Sequence, residues 1–169
     1  TSVSSDVTDL ITKKILTPSF ETAEDRGSMA TRFAADAVDK SVNIKTGTVL
    51  VVAIIDSDEA SAKMTRIAFE QAGATCVTFA TGKDFLSFYK DGKFDLIILD
   101  ILLADKTGLA LLQALQKRPK TPPIIIYTAT TQREVIVKAL SSGAKTYLIK
   151  PQKSSTLMQK SLAVLHGQK

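Results

Sequence analysis

A single cysteine, Cys76, serves the whole 169-residue chain. No internal disulfide can form, and a reducing compartment, the cytoplasm, is the expected setting. Val77 and Phe79 lie beside it, so Cys76 reads as a small buried hydrophobe rather than a reactive thiol. Long apolar runs are missing as well. The longest spans residues 49–55, far short of the ~20 needed to cross a bilayer. No charged-then-apolar leader opens the chain, so neither a transmembrane segment nor secretion is expected. Acid is scarce toward the end: from Lys117 onward ten basic residues face one acid, Glu134. The net charge of +5 is therefore uneven, with six basic and seven acidic residues in 1–47 against sixteen and ten in 48–169. Such a surplus suits a solvated surface, or a face for an acidic partner, a nucleic acid or an anionic membrane. Charge alone does not choose among these. What is present, 44% hydrophobic and 23% charged residues, is the composition of a globular domain. A disordered chain, a collagen-like fibre and a coiled-coil rod are excluded.

The first 47 residues differ from the rest. They are rich in Ser, Thr and Ala and hold no strand-like apolar run. Val7, Leu10, Ile11 and Ile15 follow helical spacing behind Asp6, a plausible N-cap, and Pro18 lies just past the end, which predicts a helix over 6–16. A second weak helix is predicted over 29–40, after a polar linker at 19–28. Gly27-Ser28-Met29 has the form of a cloning scar, which leaves an engineered origin for part of this extension open.

From Thr48 the pattern alternates between β and α. Residues 48–55 form a continuous β-branched run, as expected of a central strand covered on both faces. Further strands are predicted at 75–79, 94–99, 123–127 and 145–149. Helices are predicted at 59–72, 83–89, 107–116, 132–140 and 154–165, with Gly73 and Gly143 closing the first and fourth. Five β–α units in succession imply a doubly wound parallel sheet, an α/β unit spanning 48–167 behind an extension at 1–47. Ligands of such sheets sit outside the carboxyl ends of the strands.

An ordered set of polar residues falls there. Asp56 ends the first strand, with Ser57 and Asp58 after it. Asp100 ends the third strand, Thr128 the fourth and Lys150 the fifth. Two carboxylates held close repel each other, an arrangement that makes sense around a divalent cation such as Mg2+. A lysine and a hydroxyl across the crevice would hold phosphate oxygens, so the set points to phosphoryl chemistry on an aspartate. An aspartate after a strand is also a common helix N-cap, a role open to Asp56 and Asp58. Asp100 is harder to dismiss, since it stands between Leu96-Ile97-Ile98-Leu99 and Ile101-Leu102-Leu103.

The stretches IIDSDEA, DLIILDILLADKTG, IIIYTAT and GAKTYLIKP resemble the receiver domain of two-component response regulators, over roughly the last 120 residues. The resemblance implies a flavodoxin-like (βα)5 sheet with strand order 2-1-3-4-5. It implies Asp100 as phosphoacceptor, Thr128 as switch hydroxyl, Lys150 as the phosphate-binding ammonium and Tyr147 as the switch aromatic, whose inward or outward rotamer reports phosphorylation. The metal would be held by Asp56, Asp100 and the main-chain carbonyl of Leu102. A histidine kinase or phosphotransfer protein would supply the phosphoryl group, and a downstream protein would receive the signal. No DNA-binding domain is expected in these residues. Two positions depart from the family pattern. Ser57 stands where a second acid normally binds the metal, which implies weak Mg2+ binding unless Asp58 compensates. Ala104 stands where proline is common. Ser57 keeps a phosphorylation-independent pseudo-receiver in view. Asp56-Ser57-Asp58 also resembles the nucleophile motif of haloacid-dehalogenase-like phosphohydrolases, but no Asp or Glu follows Lys150 to supply their later acidic pair.

Overall fold

The structure, a computed structural model, describes residues 15–16, 49–90 and 93–167. Its elements run β1 (Ile15–Leu16), β2 (Val51–Ile55), α1 (Glu59–Gln71), β3 (Thr75–Phe79), α2 (Gly82–Phe88), β4 (Leu96–Leu99), α3 (Gly108–Gln116), β5 (Ile124–Thr128), α4 (Arg133–Ser141), β6 (Thr146–Ile149) and α5 (Ser154–His166). All strand pairs are parallel, and the order across the sheet is β1-β6-β5-β4-β2-β3. The five strands from β2 onward thus keep the expected 2-1-3-4-5 order.

Continuous apolar runs form these strands because both faces of the sheet are covered. Alternate residues of each central strand serve opposite layers. Ala53, Ile55, Ile97, Leu99, Ile124 and Ile126 pack with Phe85 of α2, Leu111 and Leu112 of α3 and Ile136 of α4. Val52, Ile54, Ile98 and Ile125 pack with Phe69 of α1 and with Leu157 and Met158 of α5. Each valine, leucine or isoleucine among them contributes roughly 1.5–3 kcal/mol on burial. The helices therefore divide three and two across the sheet, and every crossover returns the chain to the same edge.

Local capping fixes where the helices start. Asp58 accepts from Ser61 N at 3.1 Å, Thr81 from Asp84 N at 3.0 Å and Thr107 from Ala110 N at 3.2 Å, which satisfies amides that the first turn leaves unbonded. Just past α1, Gly73 takes φ 91°, a left-handed value that glycine adopts without steric cost.

The extension departs from expectation at its described residues. Ile15 and Leu16 are not helical but extended, and they pair in parallel with β6, Ile15 opposite Tyr147 and Leu16 opposite Leu148. An uncovered edge strand offers unpaired amides and carbonyls. Pro18 biases Thr17 away from helix, and isoleucine suits a strand. The remainder of the predicted helix over 6–16, and the one over 29–40, lie outside the described residues.

Candidate functional site

Four of the residues singled out converge at the carboxyl edge of the sheet. Asp56 follows β2, Asp100 follows β4, Thr128 is the last residue of β5 and Lys150 follows β6. The neighbouring pairs β2–β4, β4–β5 and β5–β6 bring their ends together. Asp56, Asp100 and Thr128 are buried. The Lys150 ammonium donates at 2.8 Å to Oδ2 of Asp56 and at 2.8 Å to Oδ2 of Asp100. Asp100 Oδ1 accepts from the Thr128 hydroxyl at 2.5 Å and from the Leu102 amide at 2.9 Å. Asp56 Oδ1 accepts from the Asp58 amide at 2.9 Å.

Each oxygen of the two buried carboxylates therefore has a donor, as buried polar groups require. Burial alone would lower the lysine pKa, but the hydrogen bonds and charges of Asp100 and Asp56 outweigh it and hold Lys150 above its ordinary value. The ammonium also lies 5.5 Å from the centroid of the Tyr127 ring. One cation between two anions leaves a net negative pocket. A second cation, or a group carrying one, is electrostatically welcome there.

The positions expected to hold a metal sort differently. Asp58 is exposed and caps α1, the structural role left open for it. Ser57 turns its hydroxyl to the Ala80 carbonyl, at 2.5 Å, and accepts from the Ala104 amide at 2.8 Å. Of the ligands that the resemblance implies, the Asp56 and Asp100 carboxylates are brought together, sharing the Lys150 ammonium. Two convergent carboxylates fit Mg2+, which takes one or two carboxylates and keeps several waters. Among the described residues, no three His, Cys, Asp or Glu side chains gather into a fuller metal site.

Tyr147 is buried completely, and its hydroxyl donates to the Thr130 carbonyl at 2.8 Å. This is the inward of the two rotamers that the resemblance distinguishes. Burial, and then the charge of Asp100, push its pKa above the usual phenol range. Cys76, half-buried, has its thiol pushed up to about 12, chiefly by burial, so it holds no thiolate at neutral pH.

Two further residues shape the site, of which sequence reasoning missed Asp105. Asp105 accepts from the amides of Gly82 and Lys83 at 3.0 and 2.9 Å, tying the loop after β4 to the start of α2. Gly108 lies so close to the backbone of Asp100 that a Cβ there would stand 2.4 Å from the Asp100 carbonyl oxygen. The glycine was visible in the sequence as a spacing from Asp100; the tie of Asp105 to α2 had no local signal.

A doubly wound sheet with this acidic pocket at its carboxyl edge defines a class of α/β signalling domain. The chain belongs to the response regulator receiver domain family, whose model matches residues 52–161. It is 34% identical over 101 residues to the DNA-binding transcriptional regulator NtrC of Salmonella typhimurium, covering 60% of this chain and 22% of that protein. It is 31% identical over 120 residues to the phosphate regulon transcriptional regulatory protein PhoB of Rhizobium meliloti, covering 70% of this chain and 53% of that protein. The chain thus spans from about a fifth to about half of the length of these curated relatives. Among crystal structures, a CheY-like receiver domain protein of Methanospirillum hungatei superposes with a TM-score of 0.68 at 28% identity, over 72% of this chain and 97% of that one. A two-component response regulator of Clostridium difficile gives 0.65 at 29%, over 69% and 96%. Receiver domains are signalling modules of two-component systems, served by histidine kinases or phosphotransfer proteins, and they generally bind Mg2+ at the acidic pocket. No helix among the described residues is long and apolar enough to cross a membrane.

Proposed function

We propose that residues 48–167 act as a phosphorylation-dependent switch, with Asp100 as the phosphoacceptor and residues 1–47 as an appended extension. The observation that carries this is the position of the Lys150 ammonium, 2.8 Å from Asp100 and 2.8 Å from Asp56, with the Thr128 hydroxyl on the other Asp100 oxygen. In the reaction an oxygen of the Asp100 carboxylate attacks the phosphorus of a phosphohistidine. The P–O bond forms as the P–N bond breaks, and the leaving imidazole takes up a proton. Lys150 balances the charge that the phosphoryl oxygens bring, and the Thr128 hydroxyl and the Leu102 amide are in place to donate to them. Mg2+, held by Asp56, Asp100 and the Leu102 carbonyl, supplies further positive charge when bound. Its binding is weak, because Ser57 offers a dipole where a carboxylate would offer a charge.

The signal leaves through the segment after β5. Thr128 precedes Thr130 by two residues, and the Thr130 carbonyl accepts from Tyr147. A phosphoryl group that engages Thr128 therefore biases the same segment that holds Tyr147 inward. A downstream protein reads the resulting surface by contact.

The test is intact mass after incubation with acetyl phosphate and Mg2+. The wild-type chain is expected to gain one phosphoryl group and Asp100→Asn none. Ser57, which adds no charge to the pocket, supports a second reading as a pseudo-receiver that binds partners without phosphate. A wild-type chain that stays unmodified at saturating donor would favour it.

A further inference from the structure

Ser57 follows Asp56 directly, yet its side chain serves no carboxylate. One hydroxyl donates to the carbonyl of Ala80 in the turn between β3 and α2, and accepts the amide of Ala104 in the loop between β4 and α3. A single atom thus joins three loops at the rim of the pocket. Asp105 adds a second tie, from the loop between β4 and α3 to the start of α2, through Gly82 N and Lys83 N.

The chemistry of this clasp is restrictive. A hydroxyl donates and accepts at once. Aspartate at 57 could only accept, and would set a carboxylate against the Ala80 carbonyl. Alanine there could do neither. Proline at 104 would have no N–H to give. Positions 57 and 104, which the sequence presents as two separate departures from the receiver pattern, are the two ends of one hydrogen bond. The clasp reaches the reacting group along the backbone: Ala104 lies two residues past Leu102, whose amide donates to Asp100 Oδ1 at 2.9 Å, and Gly108 N returns the loop to Ile101 O at 2.8 Å.

We propose that Ser57 is a positioning residue, which through Ala104 holds loop 101–107 so that the Leu102 amide and the Asp100 carboxylate stay aligned for phosphoryl transfer. This rests on the reading of Asp100 as phosphoacceptor. The pocket then relies on a braced loop where a second carboxylate would have relied on charge.

Two readouts on the full 169-residue chain test it. The first is hydrogen exchange at the Ala104 amide, with neither Mg2+ nor phosphodonor present. Ser57→Ala is expected to speed it about fivefold, the population change that one ordinary hydrogen bond controls, while Ser57→Thr, which keeps the hydroxyl, restores protection. The second is the rate of labelling by acetyl phosphate at saturating Mg2+. Ser57→Ala and Ala104→Pro, which break the bond from its two ends, should each lower the maximal rate about three- to tenfold and leave the half-saturating donor concentration unchanged. The double variant should be no slower than the worse single one, since both remove the same bond. Melting curves establish that each variant is folded. Unchanged exchange in Ser57→Ala, or faster exchange with an unchanged rate, would overturn the positioning role while wild-type Asp100 still labels. A wild-type chain that takes no phosphoryl group would instead overturn the reading of the site, and the positioning role with it.

Discussion

The two sides of the pocket are built on different principles. On one side Asp56, Asp100, Thr128 and Lys150 form a charged cluster, side chain to side chain, at distances of 2.5–2.8 Å. On the other, Ser57 and Asp105 bind main-chain atoms of neighbouring loops. The charged side depends on residue identity and was legible in the chain. The braced side depends on where backbone atoms come to lie. Charge holds the first side together; hydrogen bonds to backbone give the second its shape.

The largest effect is expected from breaking the charged side. Lys150→Met leaves two buried carboxylates without their shared cation, and should cost about 3–5 kcal/mol of stability by denaturant titration. Mg2+ should restore part of that loss. Because the folded state holds the Lys150 pKa above its ordinary value, the contribution is fully present below the unfolded lysine pKa and fades as pH rises through the folded one. The difference between wild type and Lys150→Met should therefore stay flat with respect to this group from about pH 6 to 9, and shrink only above about pH 10. A difference that already shrinks between pH 7 and 9 would contradict the ion-pair account.

A smaller effect is expected where the two sides meet. Gly108→Ala places a methyl against the Asp100 carbonyl, and the backbone must shift to admit it, at about 1–3 kcal/mol. Labelling of Asp100 should slow as well, since that shift moves the reacting strand end. An unaltered melting curve would mean that the loop yields more easily than its ties suggest.

The smallest effect sharpens the comparison by converting one side toward the other. Ser57→Asp adds a full charge near Mg2+, worth on the order of 1 kcal/mol in a solvated pocket, so Mg2+ titration followed by NMR should show tighter binding. The same substitution removes the donor to Ala80, so the labelling rate at saturating Mg2+ should not rise in proportion. Unchanged or weaker affinity would mean that position 57 cannot reach the ion.

The parts of the fold that sequence made visible share a cause. Runs such as Leu96–Leu99 are buried on both faces, so a polar residue directly after them announces a strand end, and four such ends define the site. Helix starts were visible for a similar reason, because Asp58 caps locally, three residues from its partner. Ser57 and Asp105 act instead across 23 and 47 residues, and 22 and 23 residues. Their partners are backbone atoms of Ala80, Ala104, Gly82 and Lys83, which no residue type marks. Ile15 and Leu16 failed for a related reason. Their spacing fits a helix, and only the open edge of β6 makes an extended pairing available to them.

The central claim, that the charged side carries the reaction on one carboxylate, is tested most directly by locating the acyl phosphate. After exposure to a phosphorylated histidine phosphotransfer protein with Mg2+, borohydride reduces an aspartyl phosphate to homoserine, and peptide mapping finds the converted residue. The account predicts homoserine at position 100 and nowhere else. Conversion at Asp56 or Asp58, or none anywhere while the phosphotransfer protein keeps its phosphate, would contradict it.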